Sequence, residues 1–497
     1  AHDTQRIPAH ILRTLLENNI FGVDIDKEAV RVASFSLYLT MLDSIDPLEY
    51  WENEVRFPRL RGQRLINSDF FAEDKEGFRT NEDSATYDLV LGNAPWGKNS
   101  VELSVYTSAW QNRSENNGKW KDSYGNIGLL FLPKAAALTK AGGTVAMMQP
   151  AMPILFNRSG PAKEFRDQLF SNFKVEEIVN LSVLRFELFR DAISPTCIIT
   201  LRNSRPDDEP LTYICPKPEL TDEDNYRLVI EPQDVSFIYL YEVLSLPSIW
   251  ATLMWGGRRD LSLIKSLNQY PTLNSLSDQE IITYSQGIKK GSQATEKKSY
   301  EPWRGRRILE SNNFPDNTFV YLKADNLPIN EEVDFERPRN KKPEAFNFPQ
   351  LIIKQSWITK KKRFTAALVE TDSRIQQGIL CKESFVSIHA DEENVAWLEA
   401  AWLSYNSKLA VYYLFLTSGR FSSFIHEVKP NELMKVPLPN AESNLLTAIK
   451  HPNDVDDAVC QAFLLKESER ALIEDLFNYT LPDFKGDSSS SGRQKTH

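Results

Sequence analysis

Tyr87-Asp88-Leu89-Val90-Leu91-Gly92-Asn93-Ala94-Pro95-Trp96-Gly97 is an apolar run that ends abruptly in an amide, a proline and an aromatic ring. A short Leu/Val run closed by such residues predicts a buried strand over 87–91. Working outward, comparable runs lie upstream at 20–25 and 65–68 and downstream at 143–149, 175–181 and 196–201. Between them, 27–42 and 128–140 have helical patterning, the first with Val30, Ala33, Leu37 and Met41 on one face. This alternation predicts a doubly wound, parallel, Rossmann-like α/β sheet, in which ligands bind outside the carboxyl ends of the strands.

The 497 residues suffice for two or three domains, each with its own core. The α/β pattern occupies 1–205, and the proline-rich stretch 206–240, with Pro206, Pro210, Pro216 and Pro218, reads as a linker or peripheral excursion. A mixed α+β region is expected over 241–480, with one amphipathic helix over 454–479, and the serine-rich 481–497 as a disordered tail. No run approaches the roughly 18 apolar residues of a membrane span and no signal peptide is evident, so a cytoplasmic location is expected. Cys197, Cys215, Cys381 and Cys460 form no CxxC pair and the histidines lack metal-site spacing, so neither disulfides nor a metal are expected. A net charge of −10 argues against a protein that coats nucleic acid uniformly, though not against a locally basic face.

Three predicted strands end in polar side chains suited to chemistry. A nucleobase amino group is a poor nucleophile because its lone pair is delocalised into the ring. The Asn93 carboxamide oxygen and the Ala94 carbonyl can accept its two hydrogens, while Trp96 stacks on an extruded base and Pro95 stiffens the turn. Alone, Asn-x-Pro-Trp also fits a turn that merely ends a strand. Asp24, in Phe21-Gly22-Val23-Asp24-Ile25-Asp26, stands where a carboxylate accepts from ribose hydroxyls, with Ile25 beside it, although an Asp-Ile-Asp also fits a helix cap.

Together these segments resemble the gamma-type N6-adenine DNA methyltransferases, the Eco57I-like methylases of restriction-modification and phage-defence systems. The run 93–96 resembles that family's Asn-Pro-Pro-aromatic motif, with Ala94 where proline is usual, which loosens the backbone that aims the carbonyl. In Ile66-Asn67-Ser68-Asp69-Phe70-Phe71, the resemblance implies that Asp69 accepts from the cofactor's adenine amino group and that Phe70 packs on its ring. The segments 128–135 and 141–146 resemble the family's next helix and strand, and Phe189 falls where a second aromatic often holds the flipped base. The resemblance therefore implies a catalytic domain over 1–205, S-adenosylmethionine as cofactor, and site-specific methyl transfer to adenine N6 in duplex DNA. The family's glycine-rich cofactor loop does not precede Asp24: no glycine occurs before Gly22. A segment outside this chain or another polypeptide is expected to supply it, and a nuclease to lie elsewhere. Two other readings stay open: a non-catalytic DNA-binding subunit with a degenerate fold, and an amino-methyltransferase acting on RNA or protein.

Basic residues gather in the second half. Lys289, Lys290, Arg304, Arg306 and Arg307, and then Lys360, Lys361, Lys362 and Arg363, are candidates to neutralise DNA phosphates. The segments 256–261, 287–291 and 403–439 resemble parts of the target-recognition regions attached to such enzymes.

Overall fold

The computed structural model describes residues 7–45, 56–73, 79, 82–96, 101–113, 120, 126–184, 188, 194–219, 227–291, 296–315, 320–336, 342–356, 362–370, 377–421, 428–441 and 454–481. They fall into two units. The first holds 1–181, 196–214 and 237–244, the second 182–195, 215–236 and 245–497.

The first unit opens with helix α1 (Ala9–Asn18), strand β1 (Gly22–Asp24) and helix α2 (Lys27–Ser44). Asp26 caps α2, its carboxylate accepting from the Glu28 N–H at 2.8 Å. The buried stripe of α2 differs slightly from the expected one: Val30 and Met41 are buried, Ser34 takes an inward place and Ala33 is exposed. Its other side leaves Val32, Phe35 and Leu39 exposed. Strand β2 (Leu65–Asn67) pairs in parallel with β1, Val23 opposite Ile66.

Strand β3 (Tyr87–Asn93), helix α3 (Val101–Arg113), helix α4 (Phe131–Leu138), strand β4 (Thr139–Pro150), helix α5 (Gly160–Asn172) and strands β5 (Lys174–Asn180), β6 (Thr196–Arg202) and β7 (Leu211–Ile214) follow. They build a sheet of order β7-β5-β6-β4-β3, with Val235–Ile238 beyond β7. The sheet is mixed rather than wholly parallel. β3 and β4 run parallel, as do β5 and β7, but β6 is antiparallel to both β4 and β5. After β5 the described residues include a 3₁₀ turn at Ser182–Leu184, and β6 returns antiparallel to β5, with Ile178 opposite Ile199. Thr139 and Lys140 belong to β4, so α4 is shorter than expected; a 3₁₀ turn over Ile127–Leu130 starts that segment.

The expected linker is in part sheet. Leu211 and Tyr213 of β7 are buried, and the Tyr213 hydroxyl accepts from Asn180 Nδ2 at 2.8 Å. The prolines that mark a linker lie outside the four residues of the strand.

The second unit is built on a sheet of order 282–286, 385–390, 350–354, 366–370, 320–323. Neighbours are antiparallel except the last pair. Helices Val395–Tyr405 and Lys408–Thr417 are apolar on nearly every side and form the core with that sheet. The expected helix over 454–479 is broken into Val455–Ala462 and Glu467–Asp475, followed by a π turn at Leu476–Thr480. At the break Leu464 takes a left-handed φ of 53°, and Glu469 accepts from the Lys466 N–H at 2.8 Å to start the second helix. No described helix is long and apolar enough to cross a membrane.

Candidate active site

The carboxyl ends of β1, β2 and β3 carry the residues singled out from sequence. At the end of β3, Asn93 is exposed, Ala94 is buried, Pro95 is exposed and Trp96 is half-buried. The strand thus ends in an exposed asparagine, with the aromatic residue three positions beyond.

At the end of β1, the helix-cap role falls on Asp26 rather than Asp24. Asp24 Oδ1 accepts from the Asp26 N–H at 2.7 Å, and the residue is exposed. The strand end is pinned by Asn67, whose Nδ2 donates to the carbonyls of Asp24 at 3.1 Å and Ile25 at 2.8 Å. The Ile25 side chain is exposed. Just past β2, Asp69 Oδ1 accepts from the Phe71 N–H at 2.7 Å, a tight turn that presents Phe70.

The segment 126–134 joins these places. Phe131 stacks on Phe70 with ring centroids 4.6 Å apart and planes 8° from parallel. Three residues earlier, Gly128 packs on the β3 turn so closely that a Cβ there would stand 2.5 Å from the Pro95 carbonyl oxygen. Lys134, fully buried on α4, donates to the Phe70 carbonyl at 2.5 Å and to Glu73 Oε1 at 2.7 Å. Its ammonium also lies 5.2 Å from the Phe70 ring centre and 5.3 Å from that of Phe71. Burial pulls its pKa below the usual lysine value, against the Glu73 carboxylate that holds it up. At the other end of β3, Tyr87 faces Phe21 at 6.2 Å, and burial, reinforced by Asp83, raises its phenol pKa to about 12.

The resemblance of 128–135 to the family's next helix assigns no role to Lys134. One signal was legible: a lone lysine inside Phe131–Leu138, flanked by Leu, Pro and Ala. Its partner Glu73 lies 61 residues away in sequence, which no local pattern reveals.

The basic residues of the second unit divide. The Arg306 guanidinium is buried and donates to the carbonyls of Gly378 and Phe346, so it braces two loops rather than facing a phosphate; burial lowers its pKa to about 10. Arg307 donates to the Leu327 carbonyl at 2.7 Å, and Arg363 holds Asp456 through two bonds at 2.9 and 2.7 Å. The buried Arg306 is thereby corrected out of the expected phosphate contacts, while Arg307 and Arg363 are half-buried. Lys289, Lys290 and Arg304 pair with Glu336, Glu332 and Glu301. Lys362 is half-exposed in a turn with φ 48°. Phe189, Lys360 and Lys361 lie outside the described residues. Among the described residues no cluster suited to a metal ion occurs.

Residues 18–186 match the Eco57I restriction-modification methylase family. The Escherichia coli type II restriction enzyme and methyltransferase RM.Eco57I is 20% identical over 354 residues, which are 67% of this chain and 31% of that protein. The chain therefore spans less than a third of the length of this curated relative. Among solved structures, the type IIL restriction-modification enzyme MmeI in complex with DNA superposes with a TM-score of 0.50 at 12% identity, covering 92% of this chain and 66% of that one. The type IIG restriction endonuclease BpuSI is also similar, with a TM-score of 0.36 at 13% identity, covering 95% and 59%. At this identity the likeness to MmeI is one of fold.

Proposed function

We propose that this chain, with the methylase likeness of residues 18–186 as its premise, transfers a methyl group from S-adenosylmethionine to the N6 amine of adenine in duplex DNA, within a restriction-modification or phage-defence system. The observation that carries this reading is the exposed Asn93 at the carboxyl end of β3, followed three residues later by a half-buried Trp96. Asn93 Oδ1 and the Ala94 carbonyl accept the two amino hydrogens of an extruded adenine and draw its nitrogen toward sp³ character. Trp96 stacks on the base and repays part of the unstacking cost. Pro95 limits how far the turn can move.

The donor set fits the adenosine half of the cofactor. The exposed Asp24 carboxylate spends one oxygen on the Asp26 amide and suits ribose hydroxyls; Asp69 and the Phe70 ring suit an adenine. When bound, the cofactor supplies an electrophilic methyl group. No glycine-rich backbone that would cradle its methionine end precedes Asp24 in this sequence. Leu89 and Leu91, on one face of β3, are 51% and 68% exposed, unusual for a strand in a doubly wound sheet. That exposure supports a further strand-and-helix element, bearing the glycine loop, from elsewhere in the polypeptide or from a partner. Lys289, Lys290, Arg304, Arg307, Lys362 and Arg363 remain the candidate phosphate contacts.

The test is transfer of labelled methyl from S-adenosylmethionine to unmethylated plasmid DNA, followed by digestion and quantification of N6-methyladenine, with Asn93→Ala as control. Label in the wild type that vanishes in the control supports the reading. Label that persists in Asn93→Ala, or that falls on cytosine, overturns it. DNA binding with no label, even with a partner carrying a glycine loop, would establish instead a DNA-binding subunit without catalysis.

A further inference from the structure

We propose that Gln149 is a positioning residue for the methyl-transfer site, setting the height of the Asn93-Ala94-Pro95 turn from behind. This inference rests on the function proposed above. Gln149 lies near the carboxyl end of β4, the strand parallel to β3, one residue past Met148, which pairs with Asn93. Its side chain is fully buried, and Nε2 donates to the Gly128 carbonyl at 3.0 Å. Gly128 in turn presses on the turn: a Cβ there would meet the Pro95 carbonyl oxygen at 2.5 Å and the Ala94 Cβ at 3.6 Å. The layers Gln149, Gly128 and Pro95 form a stack under the residues that would hold the target amine.

A neighbouring β4 residue such as Val145 needs only to fill core volume; a buried amide there is costly unless it does more. Gln149 Oε1 has no hydrogen-bond partner among the described residues, so only half of its capacity is met. Nε2 also reaches the weak acceptor Met147 Sδ at 3.9 Å, so the bond to the Gly128 carbonyl is its one strong interaction. Ala94, the position where this sequence lacks the proline of the motif it resembles, makes outside support of the turn more consequential.

Two variants test this. In Gln149→Leu the Gly128 carbonyl loses its donor; kcat should fall about tenfold or more with KM for S-adenosylmethionine within about twofold. In Gln149→Glu the buried carboxyl donates only when protonated, so its activity relative to wild type should rise as pH is lowered from about 8 to about 6, a response that simple loss of packing would not produce. Hydrogen exchange supplies a readout independent of activity: amides of 91–96 should exchange faster in Gln149→Leu, while those of β6 stay as in wild type. Unchanged exchange at 91–96, or acceleration spread equally over β6, overturns the inference. Wild-type protein that methylates nothing under any condition sinks the proposed function instead, and the exchange comparison still decides whether Gln149 sets the turn.

Discussion

Lys134 Nζ lies 2.7 Å from Glu73 Oε1 and 2.5 Å from the Phe70 carbonyl, a buried ion pair that ties α4 to the turn carrying Asp69 and Phe70. A buried charge left without its partner is far costlier than the pair is favourable. Lys134→Met should therefore lose about 3–5 kcal/mol in urea denaturation, since Glu73 stays buried. Adding Glu73→Gln should recover part of that loss. Equal stability of the single and double variants would mean that Glu73 escapes to solvent and that the pair holds nothing.

Arg306 and Lys362 should separate by assay. Arg306→Ala leaves two buried carbonyls without a charged donor and should cost about 2–4 kcal/mol of stability. Lys362→Ala should leave the melting temperature unchanged but lower the slope of log affinity for DNA against log salt by about 1. A salt slope equal to wild type in Lys362→Ala removes that residue from the DNA face.

Tyr87 gives a pH dependence with a definite sign. Its folded pKa, raised to about 12 from 10.0, means the folded state keeps a proton that the unfolded state releases. The stabilisation is full below pH 10 and is lost as pH rises through about 12. Tyr87→Phe should lose less stability than wild type over that window, followed by denaturant melts at fixed alkaline pH. Parallel losses would show that the Tyr87 phenol is ionised in the folded protein as readily as in the unfolded chain.

The exposed face of β3 yields one more expectation. Leu91→Ser in this chain should change stability by no more than about 0.5 kcal/mol, as for any exposed side chain. In a longer polypeptide or complex that covers β3, the same change should cost about 2 kcal/mol or more. A small cost in both would argue that nothing packs on Leu91.

The sequence by itself determined six strands of the first unit, their order along the chain and the residues Asp24, Asp69 and Asn93 at or just past three of their ends. Those follow from local patterns: period-two or continuous apolar runs, and the polar residues that stop them. The sequence also left Asp24 and Asp26 as rival caps, and only the folded helix assigned the cap to Asp26. Tertiary structure alone decided the direction of β6, the strand at Leu211–Ile214 and the break at Leu464, because each depends on a neighbour distant in sequence or on a backbone angle that no side chain there requires. It likewise took Arg306 out of the basic face, since a charge cluster in sequence does not reveal which carbonyls will surround it. Lys134, Gly128 and Gln149 were hidden for the same reason. Their partners Glu73, Pro95 and Gly128 lie between 21 and 61 residues away, and contact at such separation is created by packing, not by pattern.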